Sequence, residues 1–142
     1  MGQSKEPKTL CKDCDLVLPE GLHLEDPITC SNGCGTDETN LYAEKLGVNP
    51  SVLLGVDIED ACAIHDWMYL SHAKNPEIKA SEEHRKYCDE LLLTNMNRIL
   101  DHHSKDSCAF MRWIRREIAS LYYEIVRKFG SSAYWNTNGE KP

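Results

Sequence analysis

The chain reads as an all-α protein: two antiparallel helices bearing a candidate active site, a third C-terminal helix, and a loop-rich N-terminal half. Three observations predict this. Apolar residues recur at helical spacing in three stretches beyond residue 57, Gly, Pro, Asn and Cys interrupt the chain up to about residue 54, and no apolar run approaches a membrane span. The 142 residues suit a single domain, with residues 1–9 and 131–142 expected as loose tails.

The first helix is expected over about 57–74, where Ala61, His65 and Tyr69 fall at i, i+4 and i+8 and share one stripe. Pro76 disfavours a helical residue before it and leaves a short connection, so the next helix should run back alongside. Ser81 suits the N-cap of that second helix, with Glu82 and Glu83 in the first turn facing the positive end of the helix dipole. It should end near His102 and His103, an adjacent pair that cannot face one site and reads as structural. The third helix, about 106–129, is expected to start at Asp106. It carries Phe110, Trp113, Ile114, Ile118, Leu121, Tyr122, Ile125 and Phe129 at helical spacing, and Gly130 suits its C-terminal cap.

Composition narrows the function classes. A formal net charge of −7 and a pI near 5.3 argue against nucleic acid as a partner and against tight docking on anionic membranes. Arg112, Arg115, Arg116, Arg127 and Lys128 are read as a solvated face, with lipid phosphates as the alternative attraction. Trp67 is read as a core residue in preference to an interfacial anchor.

The chemistry concentrates in Cys62-Ala-Ile-His65-Asp66-Trp-Met-Tyr69. Adjacent helical residues diverge by about 100°, so His65 and Asp66 must face different tasks, and a base and a metal ligand suit that geometry. Asp89 shares the face continued by Leu92, Leu93, Met96, Ile99 and Leu100 and should point inward. An unpaired buried carboxylate is costly, so a partner is required, and His65 on the neighbouring helix would supply it. Upstream, Cys30-Ser-Asn32-Gly33-Cys34-Gly35-Thr-Asp37 reads either as a plain turn or as a loop turning several carbonyls inward. In the second case the loop carbonyls, with the Asp66 carboxylate, would suit calcium.

These three segments together resemble the secreted phospholipase A2 family, whose active-site helix carries a Cys-x-x-His-Asp-x-x-Tyr core like Cys62 to Tyr69. The order of loop, His-Asp helix and Cys88-Asp89 looks most like the divergent twelfth group, over roughly residues 28–103. The resemblance implies His65 as the base that activates water on the sn-2 ester of a phospholipid at a membrane surface. It implies that Asp89 orients the imidazole, that Tyr69 supports Asp89, and that Asp66 and the loop bind calcium. It further implies a bridge between Cys34 and Cys62. The chain departs from the family at Asp37-Glu38, where a Gly-Gly is usual, and at Met68, which leaves Cys88 without its usual partner. The 30 residues between Cys34 and His65 are longer than in most members and are expected to add a short helix or lid. A silent relative that binds lipid or a protein partner without turnover is the alternative.

Seven cysteines leave at least one thiol unpaired. Cys11-x2-Cys14, fifteen residues, then Cys30-x3-Cys34 comes close to the spacing of a structural zinc site, with disulfides and free buried thiols as the other readings. Residues 1–9 are polar and lack the apolar stretch of a secretory signal, so the expectation is either a secreted protein with a trimmed start or one that stays inside.

Overall fold

The computed structural model describes residues 10–19, 21–24, 52–53, 55–74, 79–103 and 107–138. Among the described residues the elements are two short strands, β1 (Val52–Leu53) and β2 (Val56–Asp57), and four helices, α1 (Glu59–Lys74), α2 (Glu82–His103), α3 (Ala109–Phe129) and α4 (Ser131–Asn138). The fold is all-α, and among the described residues one small antiparallel pair matches Val52 with Asp57 and Leu53 with Val56. Residues 35–51, most of the stretch where a short helix or lid was expected, lie outside the described residues, and β1 with β2 forms a hairpin. Gly55 turns it at φ +89°, a left-handed conformation open chiefly to glycine.

α1 and α2 each start where a local side chain satisfies an early amide. Asp57 leaves β2 and its carboxylate accepts the Glu59 amide at 2.8 Å, so α1 opens two residues later than expected. Ser81 caps α2 as anticipated, its hydroxyl accepting the His84 amide at 3.0 Å, an arrangement worth about 1 kcal/mol. α3 opens at Ala109, after an extended Cys108 with no side-chain cap, while the expected start, Asp106, lies outside the described residues. Ser107 Oγ instead accepts from Arg115 Nη1 at 2.9 Å.

Packing fixes the directions. Ile58, Ala61 and Cys62 at the start of α1 share one core cluster with Met96, Ile99 and Leu100 late in α2, while Ile64, Met68 and Tyr69 share the other with Cys88 and Leu91 early in α2. α1 and α2 are therefore antiparallel. Arg116 reaches Asp101 at 2.6 Å and Arg127 reaches Asp89 at 2.7 Å, so α3 runs antiparallel to α2 on its other side. Trp67 is half-buried against the second cluster, with its ring 3.7 Å from where a Cβ on Gly21 would lie.

Of the apolar residues at helical spacing on α3, Tyr122 is buried while Phe110, Trp113, Leu121 and Phe129 stand exposed, and the helix buries Arg115, Ala119 and Val126 beside Tyr122. The helix has apolar residues on both sides, so its periodicity alone does not choose the inner one. Residues 131–138 are helical, not a loose tail, and Tyr134 is fully buried. The Tyr134 hydroxyl accepts the Ser81 amide at 3.1 Å and lies 3.0 Å from His84 Nδ1, while Trp135 Nε1 donates to Glu82 at 2.9 Å. These bonds dock α4 on the start of α2. Gly130 is the C-cap of α3 as expected, in right-handed geometry at φ −77° with its amide donating to the Val126 carbonyl at 2.7 Å, and it joins α3 to α4.

Candidate active site

The site is built around one carboxylate. Asp89, on α2, has no exposed surface, and all its partners come from the helices that pack around it. Its Oδ1 accepts from His65 Nε2 at 2.7 Å and from the Tyr69 hydroxyl at 2.6 Å, both on α1 and one turn apart. Its Oδ2 accepts from Arg127 Nη1 at 2.7 Å, at the end of α3, and Arg85 Nη1 stands 3.6 Å away, one turn earlier on α2. The sequence reading placed Asp89 inward and against His65, and the structure brings those two and Tyr69 together. It did not foresee either arginine.

Burial alone would raise the Asp89 carboxyl, but the bonds from His65, Tyr69 and Arg127 outweigh it and hold the group below its ordinary value. The anion in turn, together with burial, pushes the Tyr69 phenol well up, so Tyr69 remains a donor. Since an ionised carboxylate only accepts, Nε2 of the neutral imidazole carries the hydrogen and Nδ1 keeps a lone pair. The His65 side chain retains 10% of its exposure, which leaves the ring within reach of solvent.

Supports extend outward in two directions. Arg85 bridges Glu82, at 3.0 Å from its Nε, and the Arg127 carbonyl at 3.2 Å, tying the start of α2 to the end of α3. An aromatic row runs from His65 to Tyr69, with centroids 4.2 Å apart, and on to Tyr134, at 5.0 Å edge-on. Gly130 lets this row close. A Cβ there would stand 2.6 Å from the Val126 carbonyl and 3.1 Å from the Tyr69 hydroxyl. Of the arginines expected on a solvated face, Arg127 is spent on Asp89 and Arg115 on Ser107, while Arg116 pairs with Asp101 at the surface.

Asp66 is half-buried and turned away from His65, as adjacent helical residues must be. Its charge, after burial, raises the phenol of Tyr122, whose hydroxyl is buried without a hydrogen-bond partner among the described residues. A carboxylate is the kind of hard oxygen donor that calcium takes. The other expected calcium ligands, Asn32, Gly33 and Gly35, lie outside the described residues, as do Cys30 and Cys34.

Among the described cysteines Cys62 is disulfide-bonded, to a partner outside the described residues, while Cys11, Cys14, Cys88 and Cys108 are free. Cys88 is free, in keeping with Met68 standing where the resemblance would place its partner, and it is fully buried. Cys11 and Cys14 gather with His103, their ligand atoms all within 4.8 Å of one another. His103 was read as structural, with no cysteine near in sequence; it lies 89 positions from Cys14, so only the fold reveals the contact. No protein family, curated protein or solved structure matches this chain.

Proposed function

We propose that the chain is a phospholipase A2-like hydrolase that cleaves the sn-2 ester of glycerophospholipids at a membrane surface, with calcium as its metal. One observation carries this reading: the buried Asp89 Oδ1 accepts from His65 Nε2 at 2.7 Å while Tyr69 holds the same oxygen at 2.6 Å. Asp89 fixes the imidazole in the tautomer that leaves Nδ1 basic, the logic by which a buried carboxylate orients a histidine base. Nδ1 takes a proton from water as its oxygen bonds to the ester carbonyl carbon. The resulting imidazolium faces the Asp89 carboxylate, then returns the proton to the leaving alkoxide as the carbon–oxygen bond breaks. Tyr69, Arg127 and Arg85 keep the carboxylate ionised and immobile through the cycle.

Asp66 with Asn32, Gly33 and Gly35 would hold calcium, which when bound polarises the ester carbonyl as a Lewis acid. Asp37-Glu38 departs from the family's glycines in that loop, and the expected affinity is weak, about 10⁻⁴ to 10⁻³ M. The exposed Phe110 and Trp113, with ring centroids 6.1 Å apart on the outer side of α3, support contact with a lipid surface.

The test is fatty-acid release from mixed-chain phosphatidylcholine and phosphatidylglycerol vesicles, with calcium or chelator, for the parent chain and His65→Gln. Calcium-dependent sn-2 release that disappears in His65→Gln is the expected result. No release from folded protein that still binds calcium or lipid overturns the enzyme in favour of a silent binding module.

A further inference from the structure

We propose that Cys11, Cys14 and His103 form a three-ligand site for zinc(II) that fastens the N-terminal strap, residues 10–19, to the C-terminal end of α2. The proposal stands independently of the hydrolase reading, because the two share no residue.

The strap lies antiparallel to α2 and is tied to it in register. Asn95, fully buried, accepts the Val17 amide at 2.7 Å and donates to the Val17 carbonyl at 2.9 Å. Three residues along, Arg98 pairs with Asp15. At the end of the helix His103 Nε2 meets Cys14 Sγ at 3.5 Å. Asp15 has φ +56°, a left-handed conformation that aspartate tolerates better than most residues, and it bends the chain directly after Cys14. The Cys11 amide donates to Asp60 Oδ2 at 2.8 Å, which holds the other cysteine in place from the start of α1.

Two sulfurs and an imidazole nitrogen form a donor set that suits zinc and is poorly matched to calcium or magnesium. The spacing is also right. With Zn–S near 2.3 Å and Zn–N near 2.05 Å, a tetrahedral centre separates sulfur from nitrogen by about 3.5 Å. The observed Cys14 Sγ to His103 Nε2 distance is 3.5 Å. All three ligand atoms fall within 4.8 Å, so a small closure of Cys11 completes the set. The nearby cleft, lined by Asp13, Asp15, Arg98, Asp101 and His102, gives an ion an entry path.

The experiment is cobalt(II) titration and zinc competition on the full chain handled anaerobically, with His103→Gln, Cys14→Ser, Asp60→Ala and Cys108→Ser beside the parent. His103 is exposed at the last turn of its helix, so His103→Gln tests the site without touching the core. The parent should take up one cobalt with a thiolate charge-transfer band of two sulfurs, displaced by one zinc, and zinc should raise its melting temperature. Cys14→Ser and His103→Gln should lose at least about 100-fold in affinity, and Asp60→Ala about 10-fold, on the scale by which outer-shell partners tune metal sites. Cys108→Ser, altering an exposed free thiol, should match the parent. Absence of a thiolate band in the parent, or unchanged binding by His103→Gln, overturns the proposal.

Discussion

The two ends of α2 hold polar clusters of opposite character. Asp89 and His103 are 14 positions apart, about 21 Å along the helix. At the Asp89 end both carboxylate oxygens are engaged by donors from helices, and two arginines face one buried anion. At the His103 end two thiols and an imidazole gather on a strap and a helix terminus, and burial, with the neighbouring Cys11, Asp60 and Asp13, pushes the Cys14 thiol up to about 12. A buried charge must be paired as the chain folds, so the first cluster is closed by protein groups. A neutral thiol is a small apolar group that can be buried with little penalty, so the second can stay open to a cation.

Removing the charge at the closed end should have the largest effect. Asp89→Ala removes the acceptor shared by His65, Tyr69 and Arg127 and is expected to cost about 3 kcal/mol, measured by urea unfolding. Vesicle hydrolysis should drop by about 10⁴-fold, as when a triad loses its orienting carboxylate. A variant as stable as the parent would mean that the cluster is not electrostatically closed. Acid should reproduce part of this loss. The folded Asp89 titrates below the ordinary carboxylate value of about 3.9, so its stabilisation is complete above that pH and disappears as pH falls through the lower folded value. Unfolding midpoints measured from pH 7 towards pH 2 should fall more steeply for the parent than for Asp89→Asn; parallel curves would contradict the assignment.

A subtler change reaches the same cluster from outside. Gly130→Ala drives a methyl against the Val126 carbonyl and the Tyr69 hydroxyl, at an expected cost of about 1–3 kcal/mol, and calorimetry should record the lowered melting temperature. Unchanged melting would show that the Tyr69 row tolerates displacement. The smallest effect belongs to the outer side of α3. Trp113→Ala should alter stability by no more than about 0.5 kcal/mol while weakening vesicle cosedimentation, and a large stability loss would mean that this side is part of the core.

Much of this was legible in the residues, and the failures have definite causes. The apolar residues following Asp89 on α2 lie on one side only, so their spacing directed Asp89 inward. α3 carries apolar residues on two sides, so spacing did not choose between them, and packing buried Ala119, Tyr122 and Val126 while Phe110, Trp113 and Leu121 stayed exposed. The last residues are rich in Ser, Asn and Gly, which suggested a tail; Tyr134 finds a buried slot against Tyr69 and makes a helix of residues 131–138.

By itself the sequence determined the three long helices, the Ser81 cap, the inward carboxylate and its histidine partner, because periodicity, capping and the cost of an unpaired charge act within one helix or between neighbours. Only the tertiary structure decided which cations close on Asp89, that Gly130 must lack a side chain beside Tyr69, and that His103 joins Cys11 and Cys14. Those pairings join residues 38 and 89 positions apart in the cases of Arg127 and His103, and no local rule links residues so far separated until packing brings them together.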